Sequence, residues 1–160
     1  MSHPVFPPSP YMARALELAR GAAAVGEVPV GAVVVRGGVI IGEGANAPRS
    51  LNDPTAHAEI IAIRAAAHAL GDDRLTGGDL WVTLEPCAMC AGAIAHARIA
   101  RLYFGAEDSK GGAVVSGPRL FDQPTLHHRP EVYGGVCEGE AAVLLKAFFQ
   151  RRRPQQRAAC

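Results

Sequence analysis

At 160 residues the chain is long enough to bury a layered core without disulfide staples, and a formal net charge of +1 excludes a globally basic nucleic-acid coat. No apolar run reaches the roughly 18 residues of a membrane span, because arginines and glycines cut every candidate. Four cysteines, only two of them close together, exclude the disulfide framework of a small secreted domain and point to a reducing compartment, the cytoplasm.

The chain reads as one domain over residues 1–160, with no repeat and no linker. Residues 1–10 carry four prolines and no charged, apolar leader pattern, so they are expected to form an extended arm rather than a secretory signal. Met12, Ala15, Leu16, Ala19, Ala22 and Ala23 recur at helical spacing, with Ser9 to cap, Pro10 at the first turn and Gly26 as the stop. Val30 to Val35 and Val39 to Gly44 flank Gly37-Gly38, the pattern of a two-stranded hairpin. Ala45 to Pro54 lacks a period and reads as loop. Thr55 is placed to cap a helix from Ala56 to Ala69, whose Ile60, Ile61 and Ile63 supply an apolar face.

Leu80 to Leu84 follows as a buried strand, and Pro86 opens a helix running to about Ala97. Ile99 to Phe104 is a fourth strand. Ala106 to Pro130 is rich in glycine and proline, with one short helix near Leu120, and Val132 to Val136 is a fifth strand. The last helix covers Glu138 to Arg152, with Ala141, Leu144, Leu145 and Phe148 on one face and arginines in its final turn, where they suit the macrodipole. Residues 154–160 are expected as a flexible tail. This alternation predicts a sheet covered by helices on both faces.

Two short motifs carry the chemistry. His57-Ala58-Glu59 in isolation is an ordinary polar helix start, and Cys87-x-x-Cys90 in isolation fits a redox couple or half of a structural zinc site as well as a catalytic one. Both begin helices that follow a strand or loop, and together they offer one histidine and two cysteines. That is the ligand count of a catalytic zinc, whose fourth position is left to water. Residues two apart on a helix point about 200° from each other, so His57 and Glu59 share no lateral face and the metal must lie off the helix end. A helix N-terminus favours the thiolates that zinc requires. Two thiolates neutralise the ion, so its water needs a separate base, and Glu59 fits that task.

Four segments match a known family: Glu27 to Ala32, Asp53 to Glu59, Thr83 to Ala93, and Phe104 to Ala106 with Asp108 and Lys110. Through them the chain resembles the cytidine deaminase-like superfamily, and within it the bacterial tRNA adenosine deaminases, from about Tyr11 to Arg153. The resemblance implies an α/β fold, a three-layer α/β/α sandwich around a five-stranded mixed sheet. It implies one Zn2+ per subunit on His57, Cys87 and Cys90, no organic cofactor, and Glu59 as proton shuttle for a metal-activated water, the mechanism of the superfamily as a whole. The implied reaction is hydrolytic deamination of adenosine to inosine at the wobble position of a tRNA anticodon loop, by a homodimer.

The same likeness assigns substrate contacts. Asn46 and the backbone of Ala58 meet the base, Val30 and Leu84 wall the pocket, Asp108 lies near the sugar, Lys110 near phosphate, and Phe149 and Arg152 beside the flanking nucleotides. Val30 and Leu84 read equally well as core, and Lys110 as an ordinary surface residue. Ser116 to Leu126 departs from the commonest family pattern, and His127 stands where asparagine is usual. Two other readings use the same residues: a deaminase of a free base or nucleoside such as guanine or cytosine, and a non-catalytic zinc-stabilised RNA-binding subunit.

Overall fold

The computed structural model describes residues 9–157, with side chains through Arg152. Of the predicted arm, Ser9 and Pro10 begin the first helix, and residues 1–8 and 158–160 lie outside the described residues. The elements run α1 (Pro10–Ala24), β1 (Gly31–Arg36), β2 (Val39–Ala45), α2 (Pro48–Leu51), α3 (Ala58–Leu70), β3 (Asp79–Leu84), α4 (Ala88–His96), β4 (Arg101–Ala106), a 3-10 turn (Leu120–Asp122), β5 (Glu131–Tyr133) and α5 (Glu138–Arg157).

The five strands form one sheet in the order β2-β1-β3-β4-β5. Strand β1 is antiparallel to both neighbours, while β3, β4 and β5 are parallel, so the sheet is mixed as expected. Alternation along the strands divides the core in two. Val34, Leu80, Val82, Leu102 and Phe104 pack with α3 and α4 on one face. On the other, Met12, Ala15 and Leu16 of α1 meet Ala141 of α5. Trp81, Tyr103 and Tyr133 are register neighbours on this second face, and their rings stack at 3.8 and 5.0 Å.

Helix α3 lies unusually close to the sheet, and small residues make that possible. A Cβ on Gly42 would collide with the carbonyl of Ala62, and one on Gly44 with the carbonyl of Ala58. Gly31 gives α1 the same access at Ala15. The buried stripe of α3 is therefore Ala58, Ala62 and Ala66, with Glu59. This corrects the expected isoleucine face: Ile60, Ile61 and Ile63 are only half-buried, because bulky side chains do not fit against bare strand backbone.

Other boundaries also differ from expectation. Thr55 caps nothing; its amide and hydroxyl bind the Asp53 carboxylate, and His57 is the N-cap of α3. Pro86 precedes α4 by two residues, and Cys87 takes the N-cap. Ala45 to Pro54 holds a one-turn helix, started by Pro48 and stopped by Asn52 in the left-handed region. Helix α5 continues to Arg157, so residues 154–157 extend the helix instead of starting a tail. Pro154 costs one backbone hydrogen bond, to the carbonyl four residues earlier.

The glycine contacts yield a test. Gly44→Val should lower unfolding stability in urea by about 2–3 kcal/mol through overpacking and, by pushing away the start of α3, reduce bound zinc. Wild-type stability and zinc content in that variant would contradict the tight contact.

Candidate active site

One end of the sheet gathers the site. Because β1 runs against β2 and β3, the residue entering β1 (Val30) lies at the same end as those leaving β2 (Asn46) and β3 (Leu84). Parallel pairing of β4 with β3 brings Asp108 there as well. The Asn46 amide donates to the Val30 carbonyl at 3.0 Å, and the buried Thr83 hydroxyl accepts from the Gly31 amide at 3.2 Å. Helices α3 and α4 begin at this end, so two positive helix termini face the same space.

His57 and Cys87 are N-caps, and Cys90 follows at the third position of α4. The His57 side chain makes no capping bond to its own helix, and the Cys87 thiol turns to Cys90 and His57. His57 Nδ1 lies 3.6 Å from Cys87 Sγ and 3.5 Å from Cys90 Sγ, and all three ligand atoms fall within 4.8 Å of one another. A tetrahedral zinc with ordinary Zn–N and Zn–S bonds has an N···S edge of about 3.6 Å, so the donor set fits the ion. Among the described residues this is the one cluster of such groups, and it supplies three ligands.

The electrostatics suit a cation. A hydrogen bond from Cys90 pulls the Cys87 thiol down to about 4, outweighing burial, and His57 adds to the effect. Cys90 is pushed up by its bond to Cys87 and by burial. The hydrogen bond with Cys87 raises His57 above its ordinary value. Glu59 is buried, and desolvation lifts its carboxyl above the usual carboxylate range against smaller downward pulls from Cys90 and its own backbone N–H.

A cavity of about 290 Å³ joins these groups to the predicted pocket residues: His57, Cys87 and Glu59 line it with Val30, Asn46, Leu84 and Asp108. It adjoins a groove of about 640 Å³ lined by Leu84, Asp108, Lys110, Phe149 and Arg152. All the predicted site residues except Ala58 and Cys90 therefore line one space or the other. Cys90 is fully buried behind the cavity, and the Ala58 side chain is buried in the α3 stripe, leaving only its backbone to offer. Phe149 is 49 % exposed while Phe148 is core, as expected. Arg152 is already engaged: it donates to the Gly26 carbonyl at 3.0 Å and lies over the Phe148 ring at 4.8 Å. His127 stacks on His96 and lines neither space.

Three contributors escaped the sequence reading. Val28 lines both spaces. Glu85, 2 % exposed, accepts hydrogen bonds from the amides of Asp108, Val114, Val115 and Ser116 at 3.0 Å each and from the Ser116 hydroxyl at 2.9 Å. It thus ties down the loop that carries Asp108. Glu27, equally buried, takes the amides of Arg49 and Ser50 and caps α2 behind Asn46. The available signal was a carboxylate set directly before Pro86-Cys87, with Gly112 admitting backbone against it.

Residues 8–106 match the family described as the cytidine and deoxycytidylate deaminase zinc-binding region. The chain is 57% identical over 143 residues to the tRNA-specific adenosine deaminase of Agrobacterium fabrum, covering 89% of this chain and 94% of that protein. A solved structure from work on A-to-I editing by tRNA:A34 deaminases superposes with a TM-score of 0.83 at 58% identity, over 84% of this chain and 98% of the other. The guanine deaminase of Bacillus subtilis superposes at 0.60 with 35% identity, over 83% and 85%. Fold and ligand cluster thus define a zinc-dependent deaminase. Within that class, the chain belongs to the tRNA-specific adenosine deaminase family.

Two variants probe the site. Cys90→Ala should reduce zinc from about one per chain to near none and lower the melting temperature, since metal binding and folding are linked. Undiminished zinc by elemental analysis would remove Cys90 from the ligand set. Burial pushes Glu85 up, but the amides of Asp108, Val114 and Ser116 and the Ser116 hydroxyl outweigh it and hold the carboxyl below its ordinary value. Its stabilising contribution is then complete above the unfolded value of about 4.3 and drains away as pH falls through the folded one. Glu85→Gln should cost about 3 kcal/mol at neutral pH and flatten the acid limb of the stability curve. An acid limb unchanged in that variant would contradict this account.

Proposed function

We propose that the chain converts the wobble adenosine of a tRNA anticodon loop to inosine, with Glu59 carrying the protons. The observation behind this reading is a buried carboxyl sharing one cavity with His57 and Cys87, where that cavity opens onto a groove lined by the exposed Phe149 ring, Lys110, Arg152, Glu107 and Asp108. A base turned out of a single-stranded loop reaches such a cavity at small unstacking cost.

Zinc held by His57, Cys87 and Cys90 supplies Lewis acidity toward water. The chain's own residues do the rest. A Glu59 oxygen accepts the proton of the attacking water and passes it to the ring nitrogen beside the reacting carbon. Once the water oxygen is bonded to that carbon, the same carboxyl moves the remaining hydroxyl proton to the amine, the C–N bond breaks, ammonia leaves and a carbonyl stays on the ring. Desolvation raises the Glu59 carboxyl above the usual carboxylate range, the direction that favours returning a proton. Val28, Val30 and Leu84 exclude bulk water from the purine faces, and Asn46 provides an amide for its edge. Phe149 offers a stacking surface to a neighbouring base, Lys110 and Arg152 offer charge to the backbone, and Asp108 lies between groove and cavity, beside the sugar.

The protein is taken to act in the cytoplasm as a homodimer of single-domain subunits with one zinc each. Supporting this are the unpaired cysteines Cys87, Cys90 and Cys137, and the exposed apolar residues Leu51 and Met89 on the helices flanking the site. Among the described residues no helix is long and apolar enough to cross a membrane.

Sequencing of tRNA treated with the purified protein should reveal inosine at the wobble position. Glu59→Gln should keep its zinc while turnover falls by roughly 10²–10⁴-fold. Conversion of free guanine or cytosine alone would move the substrate to small bases, and near-normal activity in the Gln variant would take Glu59 out of the mechanism.

A further inference from the structure

Beyond the groove lies a second cavity, of about 440 Å³, where three arginines from two distant parts of the chain converge. Arg49 comes from α2, and Arg151 and Arg152 from the last described turns of α5. The end of α1 and the Phe148 ring form the remaining walls, and no carboxylate lines the cavity. Among the described residues Arg49, Arg151 and Arg152 form no ion pair, so the charge they bring to the cavity has no carboxylate partner. The nearest candidate, Glu27, is spent on the amides of Arg49 and Ser50 and on the Ser50 hydroxyl. Three arginines lining one cavity with no carboxylate among its walls leave positive charge that an anion would match.

Position narrows the anion's identity. Arg152 lines both this cavity and the groove that opens from the catalytic pocket, and Arg49 follows the pocket residue Asn46 by only three positions. The basic cavity therefore continues the path a strand would take away from a base held at Glu59. Arginine's planar fork matches phosphate oxygens in two-point contact. We propose that Arg49 and Arg151 bind phosphodiester groups of the RNA segment flanking the target nucleotide, across the end of α1. The proposal rests on the tRNA reading above and adds a backbone contact site outside the groove.

The test compares wild type with the Arg49→Gln/Arg151→Gln double variant, using a labelled anticodon stem-loop RNA and anisotropy titrations over a range of salt. Loss of two contacts to single-stranded backbone should reduce the slope of log affinity against log salt by about 1.4 and weaken binding roughly tenfold. Zinc content and melting temperature should not change. The Arg49→Lys/Arg151→Lys pair, which keeps the charge, should retain most of the slope and serves as the folding control. Wild-type slope and affinity in the Gln variant would overturn the proposal while leaving the substrate assignment intact. If inorganic phosphate raises the melting temperature of wild type but not of the Gln variant, and RNA binding is equal in both, the cavity belongs to a free anion and the proposal is equally overturned. Failure of wild type itself to bind or deaminate the stem-loop would defeat the tRNA reading, an outcome distinct from a defect confined to the variant.

Discussion

The contact on which the site depends is that of α3 with the bare backbone of β2. At Gly42 and Gly44 the strand has no side chain to hold the helix off, and Ala58, Ala62 and Ala66 present the smallest surface that still buries apolar area. An ordinary helix-on-sheet separation of about 10 Å would carry the first turn of α3 away from the sheet end. The close approach instead sets the N-terminus of α3 beside that of α4, and the histidine of one reaches the thiols of the other across 3.5 to 3.6 Å. Burial of Glu59 follows from the same contact: it lies on the alanine stripe, so its carboxyl is desolvated by the packing that positions the ligand two residues before it.

Two further carboxylates are buried for a different purpose. Glu27 and Glu85 have no ion pair among the described residues, and a lone buried charge would cost several kcal/mol. Glu85 offsets that cost with five charge-assisted hydrogen bonds, four of them from the consecutive residues Val114 to Ser116 of an otherwise irregular loop. Glu27 does the same for the single turn of α2, too short to be stable alone. The segments carrying Asn46 and Asp108 are thereby held by carboxylates outside the reacting constellation, a division that lets loops serve as precise walls.

Much of this arrangement was legible in the sequence, and the failures have physical causes. The Gly37-Gly38 hairpin, the strand before Cys87 and the ligand triad were readable because turn chemistry and metal-ligand chemistry are local. The face of α3 was misjudged because hydrophobicity ranks isoleucine above alanine, while a glycine-bearing strand selects for size. Thr55 and Pro86 have the composition of helix starts, yet tertiary demand placed His57 and Cys87 at the caps, where a metal can substitute for the missing cap bonds. Glu85 was hidden because its partners lie 23 to 31 residues away, a separation no local pattern encodes.

Chemistry and substrate selection are built from different parts of the chain. The ligand cluster and Glu59 stand at the starts of α3 and α4, both fastened to the sheet through buried residues. The outer groove and the basic cavity depend on α5, which lines them with residues between Leu145 and Arg152. There the helix is secured by the buried Phe148 ring and by the Arg152 guanidinium, which stacks on that ring and reaches the Gly26 carbonyl at the end of α1. Arg152 therefore holds α5 in place, and its exchange would disturb Phe149 and Arg151 along with its own charge. The metal-ligand cluster is thus anchored through the sheet, while the walls of the groove and basic cavity beside it can shift with α5 without moving the ligands.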